Sequence, residues 1–111
     1  AVFSGKNLIE NNIIYRNNLR GIDVSREETV VIGNIIEQNA DYGIWIHTAN
    51  GDNCTVVGNY ISFNVNNGIK LSDASDYNTI VGNNVRGTSV NQKTAEAENK
   101  KNQICGLAVL F

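Results

Sequence analysis

Three times along this chain a pair of asparagines five residues apart is followed, four residues on, by glycine and an apolar run. Asn12, Ile14, Asn17 and Gly21-Ile22-Asp23-Val24 form the first copy. Asn34, Ile36, Asn39 and Gly43-Ile44-Trp45-Ile46 form the second, and Asn59, Ile61, Asn64 and Gly68-Ile69-Lys70-Leu71 the third. Corresponding positions are separated by 22 and then 25 residues. A unit this short cannot enclose an apolar core by itself. It buries its apolar side chains only by stacking on its own copies.

Inside each unit the apolar residues alternate over short stretches, as in Ile44-x-Ile46, and Gly and Asn punctuate them. That is the signature of short, half-buried strands. Several such strands within 22 to 25 residues suit a right-handed parallel β-helix, in which one repeat is one coil and adds ~4.8 Å along the axis. Leucine-rich repeats share the period but need a leucine scaffold. This chain has five Leu, none at the ladder positions of the first two units. The expected fold is therefore all-β, a single right-handed parallel β-helix solenoid over residues 1–111 with about four coils. The fourth copy begins at Ile80-Val81-Gly82-Asn83-Asn84-Val85 and resumes at Asn102-Gln103-Ile104-Cys105-Gly106-Leu107-Ala108-Val109. Residues 88–101 read as one inserted loop, rich enough in Ala, Glu, Lys and Gln to permit a short surface helix.

Stacking places equivalent residues above one another. Asn12, Asn34, Asn59 and Asn83 are expected to make one ladder, and Asn17, Asn39, Asn64 and Asn102 a second. Amides bond to their copies and so satisfy polar groups at the corners. Asparagine also accepts the left-handed backbone that a sharp corner demands. Gly21, Gly43, Gly68 and Gly106 are expected to supply another such corner.

Composition narrows the function classes. An apolar fraction of 41% and a charged fraction of 18% fit a folded chain. A net charge of −2 offers no basic surface for nucleic acid. No apolar run approaches the ~18–20 residues of a membrane span. The absence of Met marks a processed chain or a segment of a longer protein. Cys54 and Cys105 are not spaced as a metal-binding pair, and there is one His, so two thiols are expected and no structural zinc.

The recurring Asn-x-Ile-x-x-Asn-x-x-x-Gly-Ile resembles the repeat of pectate-lyase-like right-handed β-helix proteins, which include polysaccharide lyases, hydrolases, epimerases and phage tailspikes. The resemblance extends over about residues 7–109 and concerns the scaffold. It implies an extracellular, cell-surface or virion protein whose partner is a polysaccharide, bound or processed, with no required cofactor. Two other readings stay open: a structural stalk or oligomerisation module without glycan activity, and an enzyme of the lyase, glycoside hydrolase or uronate epimerase type. It also implies that the apolar ends meet a homo-oligomeric partner, as in a trimer, or further coils of the same protein.

Alternation after each glycine points Asp23, Trp45, Lys70 and Ala108 outward in one row, with Ser25, His47, Ser72 and Leu110 beside it. An indole stacks on the apolar face of a pyranose while polar neighbours bond its hydroxyls. Asp23, Trp45, His47 and Lys70 are accordingly the expected substrate-binding residues. The other reading has Trp45 covered by an adjacent loop or subunit. For catalysis the candidates are Lys70, Asp73 and His47. Glycoside hydrolysis needs two carboxylates ~5–9.5 Å apart, for which Asp73 with Asp52 or Asp76 on adjacent coils are the candidates, and a lyase or epimerase needs a base such as Lys70, Arg20 or His47. Glu27, Asp52 and Asp76 each stand three residues before an expected strand. One coil apart they either hold Ca²⁺ or are solvated turns.

Overall fold

Each side of the repeat has room for strands of only three residues before the chain must turn. The computed structural model describes residues 6–46, 53–71 and 77–87, together with the backbone of 103–105 and 108–110. Thirteen strands occur among the described residues. They are β1 (Leu8–Glu10), β2 (Ile13–Tyr15), β3 (Ile22–Val24), β4 (Val30–Ile32), β5 (Ile35–Glu37), β6 (Ile44–Ile46) and β7 (Thr55–Val57). They continue with β8 (Tyr60–Ser62), β9 (Ile69–Leu71), β10 (Thr79–Val81), β11 (Asn84–Arg86), β12 (Gln103–Cys105) and β13 (Ala108–Leu110). No described residue is helical, and thus no helix is long and apolar enough to cross a membrane.

All pairing is parallel and joins each strand to its equivalent in the next coil. Three sheets result, with orders β1-β4-β7-β10-β12, β2-β5-β8-β11-β13 and β3-β6-β9. Leu8 faces Val30, Val30 faces Thr55 and Thr55 faces Thr79, steps of 22, 25 and 24 residues. The chain is a parallel β-helix, as the repeat predicts.

The core is a set of vertical columns. Val31, Val56 and Ile80 form one, and Ile36, Ile61 and Val85 another. Ile22, Ile44 and Ile69 lie beside Val24, Ile46 and Leu71 in the third sheet. All are at most 4% exposed. Ile9 and Ile14 of the first coil are only partly buried, because no described coil lies on that side.

The asparagine ladders form with a fixed polarity. The backbone N–H and Nδ2 of Asn12 both donate to Asn34 Oδ1, at 2.9 and 3.0 Å. Asn34 donates in the same way to Asn59, and Asn59 to Asn83. Asn17, Asn39 and Asn64 repeat the pattern at the next corner. A third ladder, unexpected from the sequence, runs through Thr29, Cys54 and Asn78, all buried. There the Cys54 N–H donates to Asn78 Oδ1 at 2.8 Å, while the Thr29 hydroxyl and Cys54 thiol both reach the Arg26 carbonyl.

Three expectations need correction. The left-handed residue at each corner is the one before the ladder member, as with Gln38 before Asn39 and Gly58 before Asn59. The ladder asparagines keep ordinary backbones, and their side chains bridge coils. Gly21 and Gly43 do not adopt positive φ either. A Cβ on Gly43 would lie 2.6 Å from the Gly68 carbonyl oxygen and 2.8 Å from Ile61 Cγ2, so the position needs glycine because the next coil passes so close. Finally, β13 pairs with β11, setting Ala108 beside Asn84 and Leu110 beside Arg86 rather than in the rows of Lys70 and Ser72. Gln103 faces Thr79, again 24 residues away, so the chain returns after the period of an ordinary coil. The expected insertion at 88–101, with Asn102 and Gly106, lies outside the described residues.

Candidate functional site

The outward row of the third sheet changes chemistry at every coil. In β3, β6 and β9 the outer residues of each strand are buried and the middle one is half-buried. Register puts Asp23 beside Trp45 and Trp45 beside Lys70, as alternation predicts. Asp23, Trp45 and Lys70 thus share one outward column.

The turns leading into these strands complete the surroundings. Their backbones stay in register, since Gly21 N–H donates to the Tyr42 carbonyl and Gly43 N–H to that of Asn67. This stacking brings Arg20 of the first coil over the Trp45 ring of the second, with Cζ 4.4 Å from the ring centroid. Tyr42 lies against the same indole at 5.6 Å between centroids, tilted by 48°. Arg20 also joins two carboxylates. Its Nη1 is 3.9 Å from Asp23 Oδ2, and its Nε is 3.4 Å from Asp41 Oδ2, off the line of a hydrogen bond. Asn66 Nδ2, one coil further, donates to Asp41 Oδ1 at 2.6 Å.

Arg20, Asp23 and Asp41 are 28%, 24% and 20% exposed, so solvent screens this group less than a fully wetted surface pair. The guanidinium rests on the indole face, a cation–π contact that fixes both planes. The arrangement presents an aromatic pair ringed by donors and acceptors. Both carboxylates lean on one cation, which positions them and sets them apart from a facing acid–base pair across an open gap. Arg20, which the sequence suggested only as a possible base, and Asp41, Tyr42 and Asn66, which it did not single out, belong to this site. Their signal is positional: they occupy the one or two places before the repeat glycine, counting from Gly21, Gly43 and Gly68.

His47, Asp52, Asp73 and Asp76 lie outside the described residues. Glu27 is exposed. Its backbone carbonyl accepts the Lys6 N–H at 3.1 Å, while the neighbouring Glu28 carboxylate pairs with Lys6 Nζ at 3.7 Å. Among the described residues no group of three or more His, Cys, Asp or Glu side chains converges to hold a metal ion. Of the residues expected to hold Ca²⁺, Glu27 alone lies among the described residues.

A protein-family model described as "Periplasmic copper-binding protein (NosD)" matches residues 2–106 of the chain. No curated protein and no solved structure matches it.

Proposed function

The chain belongs to the NosD family, and from that footing we propose that it is a β-helix segment working outside the cytoplasm, in the periplasm or at the cell surface, where it binds polysaccharide. The observation that supports a binding role is the in-register column Asp23–Trp45–Lys70 with the Tyr42 ring against Trp45. Sugar rings pack their apolar faces on aromatic side chains and direct hydroxyls to flanking polar groups. Here the flanking groups are Arg20, Asp23, Asp41 and Lys70. Binding is favoured over processing because Arg20 engages both nearby carboxylates, leaving neither held for proton transfer.

The copper in the family description does not fit the residues described here. Copper favours Cys, Met and His donors. The chain has no Met and one His, and Cys54 is 1% exposed with its thiol directed to the Arg26 carbonyl at 3.3 Å. The binding proposed therefore involves no metal.

The test is affinity electrophoresis against a panel of neutral and acidic bacterial polysaccharides, repeated with Trp45→Ala. Retardation of the parent chain, lost in the variant with melting temperature preserved, supports the proposal. Equal migration of both chains on every glycan overturns it. One observation favours a second reading, that of a structural or oligomerisation module: Arg20 already occupies one face of Trp45. Light scattering separates the two. A defined trimer that ignores glycans supports the module, and a monomer that binds them supports the first reading.

A further inference from the structure

We infer that the face around Trp45 selects neutral glycans over uronate-bearing ones, an inference that rests on the polysaccharide-binding reading above. The column holds Asp23, Trp45 and Lys70, and residues 18–21, 40–43 and 65–68 form the turns leading into its strands. The charged residues of these stretches are Arg20, Asp23, Asp41 and Lys70, two of each sign. The column and its turns therefore carry no net charge with which to draw in an anion.

The cation that lies over the indole is already shared. Arg20 has Nη1 3.9 Å from Asp23 Oδ2 and Nε 3.4 Å from Asp41 Oδ2 while its Cζ stands 4.4 Å from the Trp45 ring centroid. An arriving uronate has to take Arg20 from one of these carboxylates. That exchanges one partner for another, and leaves Asp23 or Asp41 beside the newcomer without its cation. Both aspartates are less than a quarter exposed, so water screens the resulting repulsion only in part.

Hydrogen-bonding capacity points the same way. An ionised carboxylate only accepts. Sugar hydroxyls donate, and so bond Asp23 and Asp41 while Arg20 stays in place. A uronate offers these two side chains nothing but further acceptors. Asn66 Nδ2 donates to Asp41 Oδ1, which restrains that carboxylate from turning away.

Lys70 does not reverse the preference. It stands two strand spacings, about 9.6 Å, from Asp23 in the same sheet. A polymer with a carboxylate on every sugar, laid along the column to reach Lys70, also brings charge against Asp23 and Asp41. A neutral polymer meets both ends with hydroxyls, donating at the aspartates and accepting at the lysine.

The experiment is titration calorimetry with paired oligosaccharides of equal length: cello-oligosaccharide against oligoglucuronate, and manno-oligosaccharide against oligomannuronate. The neutral member of at least one pair should bind about tenfold more tightly than its acidic counterpart, and raising NaCl should leave its affinity within about twofold. Equal affinity, or a preference for the uronate, overturns the selectivity and leaves polysaccharide binding standing. A steep loss of neutral binding with salt overturns it too. Binding of neither member of any pair overturns both readings. The double variant Asp23→Asn, Asp41→Asn releases Arg20 to pair with a uronate, and should narrow the preference to less than about threefold. An unchanged preference in a double variant that melts like the parent overturns the assignment to these carboxylates.

Discussion

The corner ladders and the outward column of the third sheet are both stacks of equivalent positions, one residue per coil, yet they are filled on opposite rules. At the corner the same residue returns: Asn12, Asn34, Asn59, Asn83. On the outer face an acid, an indole and an amine follow one another as Asp23, Trp45 and Lys70. Each buried amide is acceptor to one neighbour and donor to the next, so changing one leaves polar groups unmet on two coils. An outward residue meets only solvent and its flanks, and is free to vary. At the two asparagine corners identity marks scaffold, and on the outer face variation marks the place where a partner can be recognised.

The sharpest way to break that contrast is at the repeat glycine beside the face. Gly43→Ala drives a methyl group to 2.6 Å from the Gly68 carbonyl oxygen and 2.8 Å from both Asn64 Nδ2 and Ile61 Cγ2. Two of these partners are backbone or core of the next coil, so relief requires the coils to separate. A loss of about 3 kcal/mol is expected from urea unfolding at constant slope. A near-neutral result would mean that the coils slide freely, and the packing account of this glycine would fail.

Next in size is the ladder itself. Asn59 accepts from Asn34 and donates to Asn83, and its Nδ2 also reaches the Val31 and Val57 carbonyls. Asn59→Ala should cost about 2–3 kcal/mol. Asn12→Ala, at the exposed end of the same ladder, should cost less than about 1 kcal/mol, because water replaces what is lost. Equal costs at the two positions would show that burial is not what gives the amides their value.

How much of this was legible in the sequence follows the same division. The coil period, two ladders and the inward columns could be read because identical residues recur at Asn34 and Asn59 or at Ile44 and Ile69. The third ladder could not, because Thr29, Cys54 and Asn78 share only their place ahead of a strand. The left-handed corner residues were hidden too, since Glu28, Gln38, Phe63 and Tyr77 carry no turn signature, and neighbouring pairing holds them at positive φ. The rows of Ala108 and Leu110 are not legible for a specific reason: Asn78 precedes Gly82 by four residues just as Asn64 precedes Gly68. A spacing found at two corners of the coil cannot by itself say which corner Asn102 and Gly106 continue. At the site, Asp23, Trp45 and Lys70 were legible from alternation. Asp41, Tyr42 and Asn66 were not, because turn residues that differ in every coil leave no repeating trace.

Trp45→Ala carries the comparison onto the face. Removing the indole forfeits the Arg20 and Tyr42 contacts, together worth about 1–1.5 kcal/mol at a half-exposed position. Thermal unfolding should show this modest shift while glycan retardation disappears. A destabilisation as large as that of Asn59→Ala would place Trp45 with the scaffold instead, and favour the structural module.

The smallest effect should come from a corner where geometry, not contact, makes the demand. Gly58 has φ of +64° and nothing within 4 Å of the position a Cβ would take. The equivalent position in the first coil is Asn11, at φ of +55°. Gly58→Asn should therefore change stability by less than about 0.5 kcal/mol, since a short polar side chain tolerates this backbone. Gly58→Val, with no more steric contact but a branched Cβ, should cost about 1–2 kcal/mol through the backbone alone. The pair isolates conformational strain from packing, which Gly43→Ala cannot do. If both substitutions were equally costly, the open space at this corner would have to be filled by something in solution, and a partner laid along the glycine edge would become the next thing to look for.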